Sequence, residues 1–180
     1  MKARKGCAIA TIVASVGLFL ATGLLRAETE PARPRVIGPD EAGYVFVAPH
    51  AEFRSKVGSV STGSSQLFMA IATYVPGGET PTHLHEIDEE LLYVLDGEVT
   101  VTLDDQEHTV GPGGTVIVPP GTWMAIANRT ESPAVVMGVL PRGELEEVFR
   151  VLLSEDADET ALREAQEIPR VIYRPATSDE

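Results

Sequence analysis

The sequence predicts an all-β fold, an antiparallel sandwich or barrel, on three observations. From about residue 43 to Leu140 the apolar runs have strand length and are rich in β-branched residues. Turn chemistry cuts them, as at Asp96-Gly97 and Gly111-Pro112-Gly113-Gly114. Many short strands at this spacing belong to sandwiches and barrels.

The elements follow from the N-terminus. Lys2, Arg4 and Lys5 precede an uncharged, mostly apolar run of 18 residues, Ala8 to Leu25, and Leu25-Arg26-Ala27 offers a small residue at a cleavage point. Residues 1–27 therefore have the layout of a signal peptide, and the protein is expected to be exported, periplasmic or secreted. An uncleaved N-terminal membrane anchor is the alternative, because the run reaches the lower edge of bilayer-spanning length. Thr, Ser and Gly within the run favour cleavage.

Removing residues 1–27 takes away four basic and no acidic residues, which moves the net charge from −13 to −17. So acidic a chain is a poor partner for nucleic acid or an anionic membrane surface. Cys7, the single cysteine, leaves with the segment, so disulfide and thiolate chemistry are excluded from the remainder.

Residues 28–42, "ETEPARPRVIGPDEA", read as a proline-rich linker or arm. Residues 43–143 carry the strand candidates "GYVFVAP", "SQLFMAIATYV", "ELLYVL", "EVTVTL", "TVIVPP", "WMAIAN" and "AVVMGVL". Val99, Val101 and Leu103 alternate with polar residues, so that strand has one buried and one wet face. "LLYVL" is apolar on both faces and is expected to be covered on both sides, the outer one by a partner chain. Residues 144–180 read as an acidic helical tail. Leu145, Val148, Phe149 and Leu152 recur at helical spacing, and Ser154 is a candidate N-cap for a second helix.

The chemistry centres on "THLHEIDEELLYVLDGE", Thr82 to Glu98. Alternate residues of a strand share a face, so His83 and His85 converge while Leu84 points away. Two imidazoles on one face form a bidentate claw for a divalent metal, and a carboxylate from the adjacent strand would complete three ligands. Glu86, Asp88 and Glu89 fall in the connection. Glu90 opens the next strand, on the face of Leu92 and Val94, and is the preferred third ligand. His50, in the N-terminal "APHAEF", could approach the barrel mouth of its own or a partner chain, but nothing in the sequence requires it; His50 and His108, beside a hairpin turn, both read as surface histidines.

These residues resemble the first cupin motif: Gly77, five residues, His83-Leu84-His85, four residues, Glu90, six residues, Gly97. The second motif is matched by Gly113, Pro119-Pro120-Gly121 and Asn128, with Met124 where the family has a histidine ligand. The chain is thus identified as a small single-domain cupin, similar to the type-2, bacterial quercetinase-like members, with that histidine replaced by Met124. The resemblance implies a double-stranded β-helix, or jelly-roll barrel, ahead of the helical tail, and a homodimer. It also implies a divalent metal on His83, His85 and Glu90. Iron fits two histidines and a carboxylate best, with Mn, Ni, Cu or Zn as other candidates. At the fourth position, Met124 leaves an open coordination site, contributes a soft thioether, or forms a hydrophobic wall. The functions implied are a dioxygenase-like metalloenzyme acting on a small organic substrate, or a non-catalytic cupin that binds a small, sugar-like ligand with weak or no metal. No separate catalytic acid or base is identified.

Overall fold

The computed structural model describes residues 34–152 and 171–174. Residues 1–27, the first six residues of the arm, Ser154 and most of the acidic tail lie outside the described residues. Among the described residues, no helix is long and apolar enough to cross a membrane.

Two antiparallel sheets form the domain. Strands β1 (Tyr44–Ala48), β2 (Ala51–Val57), β3 (Leu67–Tyr74), β10 (Ala134–Pro141), β5 (Glu90–Asp96) and β8 (Thr115–Val118) lie in that order in one. The second runs β11 (Val171–Tyr173), β4 (His83–His85), β9 (Met124–Ala127), β6 (Val99–Leu103), β7 (Gln106–Val110). A short helix, α1 (Leu145–Leu152), follows β10. The all-β expectation with a short C-terminal helix therefore holds.

The inner faces supply the core. Ala72, Tyr74, Leu92, Val94 and Val136 of the first sheet meet Val99, Val101, Met124 and Ile126 of the second. Alternate residues of β3, Phe68, Ala70, Ala72 and Tyr74, all face inward. Leu145 of α1 packs with Phe68, Ala70 and Leu140 at one end of the barrel, where the helix covers apolar surface. On β5, Glu90, Leu92 and Val94 are buried, whereas Leu95 is 45% exposed. The outer face of "LLYVL" is thus not fully covered within the chain.

Two turns of the quoted motifs depend on glycine. Gly97 has φ +70° in the turn that carries the chain from β5 in one sheet to β6 in the other, and a Cβ there would lie 2.8 Å from Ala134 Cα. Gly121 has φ +78°, and its N–H donates to the carbonyl of His85 at 2.7 Å, which ties the second motif to the first. Asn128 is fully buried. Its amide donates to the carbonyls of Tyr74 and Ser132, and its Oδ1 accepts from Thr130. It is a structural clamp.

Three strands escape the sequence reading: β2, β11 and the exposed β7, which pairs with β6 at a sheet edge. β2, "AEFRSKV", is too mixed in polarity to stand out as a strand, yet it forms a hairpin with β1. β11 lies within the segment expected to be helical, and all three of its residues pair with β4.

Candidate metal centre

The strand β4 does what its spacing implies. His83 and His85 point to one side, with ring centroids 5.4 Å apart and planes nearly perpendicular. Glu90 joins them, but not from an adjacent strand: β4 lies in the second sheet and β5 in the first. The carboxylate reaches the imidazoles across the barrel interior, because "EIDE" carries the chain from one sheet to the other. One donor atom from each of His83, His85 and Glu90 lies within 4.8 Å of the others.

The surroundings orient these groups. His83 Nδ1 lies 2.9 Å from the carbonyl of Pro81. A carbonyl only accepts, so Nδ1 carries the proton and Nε2 keeps its lone pair for a ligand. Burial holds the His83 pKa below the ordinary histidine value, partly opposed by the Glu90 charge, which favours the neutral, ligating form near pH 7. His85 and Glu90 are buried, with His85 Nε2 3.3 Å from Glu90 Oε2. Just before β5, Asp88 is buried and makes a paired contact with the Arg142 guanidinium, which pins the connection that delivers Glu90.

Glu90 Oε2 and His85 Nδ1 are buried polar atoms without a hydrogen-bond partner. Such orphans are costly in a folded core. For Glu90 Oε2, facing two imidazoles, a divalent cation resolves the cost. The donor set of two nitrogens and a hard oxygen suits a first-row metal, so the residues fit the implied group.

Above the cluster lies a cavity of about 350 Å3, within the usual range for small-molecule sites. Phe53, Tyr74, Ile126, Leu145, Val148 and Phe149 make most of its wall apolar, and Tyr173 of β11 lies beside His83, with ring centroids 5.8 Å apart. His50 also lines this cavity, which corrects its reading as a surface histidine. It sits in the turn between β1 and β2, and the unrecognised β2 folds that turn back over the barrel. Its ring packs near Phe53 and Tyr74, and burial followed by the nearby His83 lowers its pKa. The signal that could have found it was the alternation of Ala51, Phe53 and Ser55 with charged residues. His108 lies on β7, exposed, as expected.

A barrel of two antiparallel sheets enclosing a two-histidine, one-carboxylate cluster defines a class of β-barrel proteins with a candidate metal site. The family described as "Cupin domain" matches residues 70–140. The chain is 30% identical over 114 residues to Protein SchB of Streptomyces halstedii, covering 61% of this chain and 80% of that protein. It is 31% identical over 98 residues to Beta-D-galactosidase Rv1717 of Mycobacterium tuberculosis, covering 52% of this chain and 81% of that one. Among solved structures, the polyketide cyclase RemF from Streptomyces resistomycificus superposes with a TM-score of 0.54 at 22% identity, covering 69% of this chain and 90% of that one. The chain belongs to the cupin family.

The narrower expectation, a quercetinase-like cupin defined by a methionine in place of a ligand, is overturned. The matching family is the general cupin domain, and the triad His83, His85 and Glu90 is intact, with none of the three replaced by methionine. Met124 is 1% exposed, pairs across β9 with His83 and Leu103, and belongs to the apolar core. It is barrel wall, as a buried thioether usually is.

Proposed function

We propose that this cupin is a metal-dependent enzyme acting on a small, largely apolar organic substrate, with oxygenase-type chemistry as the reaction class and iron as the preferred metal. One observation carries the reading: a buried, hydrogen-bond-free Glu90 oxygen faces two imidazoles at an apolar cavity. When bound, a divalent ion with three protein donors supplies Lewis acidity and open coordination positions for substrate and dioxygen. The chain's own residues do the rest. His83, fixed by the Pro81 carbonyl, and His85 present ring nitrogens. Glu90 balances charge, the aromatic wall excludes water, and His50 offers a neutral imidazole for orienting a polar group of the substrate.

Sugar chemistry of the kind named for the M. tuberculosis relative fits less well. Glycoside hydrolysis ordinarily uses two carboxylates, and Glu90 is the only carboxylate among the described residues lining the cavity. For the N-terminal segment we propose export with cleavage after Ala27, which the N-terminal sequence of the exported protein would test.

The metal reading is tested by elemental analysis of protein purified without chelator and then offered Fe(II), Mn(II), Ni(II), Cu(II) or Zn(II). Near one ion per chain is expected in the wild type, and loss of that ion in His83→Ala and Glu90→Ala with the fold retained. A wild type that takes up none of these ions, or variants that bind as well as wild type, would overturn the proposal.

A further inference from the structure

A second, smaller cavity of about 60 Å3 lies beside the first, and Glu90, Phe53, Tyr74, Ile126, Leu140 and Phe149 border both. It exists because three small residues lie together among its walls. Ala70 and Ala72 occupy alternate positions of β3, and Gly138 of β10 pairs directly with Ala70. Phe46 and Phe68 close the remaining wall. Nothing in the backbone demands a glycine here. A Cβ on Gly138 would approach nothing closer than Glu90 Oε1 at 3.5 Å, an ordinary contact. A core packed for stability alone would fill such a space, since interiors approach crystal density and voids are destabilising. The volume is several times the ~10–15 Å3 that a cavity needs to admit one water. Apart from the Glu90 carboxylate and the Tyr74 side chain its lining is apolar, and apolar cavities take up small apolar guests such as xenon.

We propose that this chamber is a binding pocket for a small apolar molecule of two or three heavy atoms, and that it delivers that molecule to the Glu90 side of the metal centre. The guest's identity as dioxygen rests on the oxygenase reading above; the chamber's affinity for an apolar gas does not. Organic substrate entering the main cavity would then not compete with the gas for one path.

Xenon tests the chamber directly. In wild-type crystals pressurised with xenon, density is expected between Ala70, Ala72 and Gly138. Xenon confined to the main cavity, or absent, overturns the proposal. Ala70→Val and Ala72→Val fill the space from β3, and Gly138→Ala is a gentler filling should those variants not fold. Each is expected to lose xenon density. Reconstituted anaerobically with ferrous iron and mixed with oxygenated buffer, each should pass an electron from iron to dioxygen several-fold more slowly than wild type, at unchanged iron affinity. Equal oxidation rates would overturn delivery through the chamber. A wild type that binds no metal would instead sink the reading of the site, while the xenon map would still decide the chamber.

Discussion

Two buried glutamates sit in this barrel under opposite conditions. Glu146, on α1, is fully buried, and donors surround it. Its Oε2 accepts from Val60 N–H at 2.8 Å, Ser61 N–H at 2.7 Å and the Ser61 hydroxyl at 3.1 Å, while Oε1 accepts from the Ser55 hydroxyl. Gly58 makes room for it, since a Cβ there would lie 2.3 Å from Glu146 Oε2. Glu90 is nearly as buried, but its neighbours are imidazoles and apolar walls, and Oε2 has no hydrogen bond. A buried carboxylate whose lone pairs meet fixed donors is a fastener. One that faces other metal ligands is a binding group. Burial alone does not distinguish them; the neighbours' chemistry does.

The comparison can be broken most forcefully at Glu146. Replacement by alanine strands the donors of Val60, Ser61 and Ser55 and should cost about 3–5 kcal/mol of stability, read from urea unfolding. Metal uptake by the surviving folded fraction should persist. A loss below about 1 kcal/mol would show that Glu146 is no fastener.

A smaller effect sharpens the Glu90 side. Saturating metal at 100 times its Kd should raise wild-type stability by about 2.7 kcal/mol. Glu90→Gln should remove that gain while changing metal-free stability by no more than about 1 kcal/mol, because no hydrogen bond to Oε2 is lost. Metal stabilisation equal to that of wild type in Glu90→Gln would contradict the role given to the carboxylate.

The smallest effect concerns pH. The folded pKa of His50 lies below 6.5, so the unfolded chain binds a proton there before the folded chain does. Its contribution to metal-free stability is fully present above pH 6.5 and is lost as pH falls through the folded value. Unfolding midpoints measured from pH 8 to 5 should decline less steeply in His50→Gln than in wild type. Parallel curves would place His50 away from the cavity.

The sequence made the Glu90 side of this contrast legible and the Glu146 side invisible. His83 and His85 were readable because the strand repeat is two, and Glu90 because the glycine spacing selects it over Glu89. That the three groups meet across two sheets was not readable, since no local pattern reports which sheet a three-residue strand joins. Glu146 looked like one more charge on an acidic helix, because its donors are backbone groups more than eighty residues earlier, at Val60 and Ser61. His50 was misplaced for a related reason. β2 alternates Ala51, Phe53 and Ser55 with charged residues, but only Phe53 of the three is large and apolar, so the pattern is weak; β7, at a sheet edge, is largely exposed and has none.

The strand that bears both imidazoles is only three residues long and meets β9 through a single residue pair, His83 with Met124. Three further pairs come from β11, near the chain's C-terminus. The alignment of the donor nitrogens is therefore underwritten from far along the polypeptide. Trimming the chain before Val171 would leave the histidine ribbon tethered along one flank, so a protease acting on the acidic tail could loosen the grip on an ion without touching any ligand.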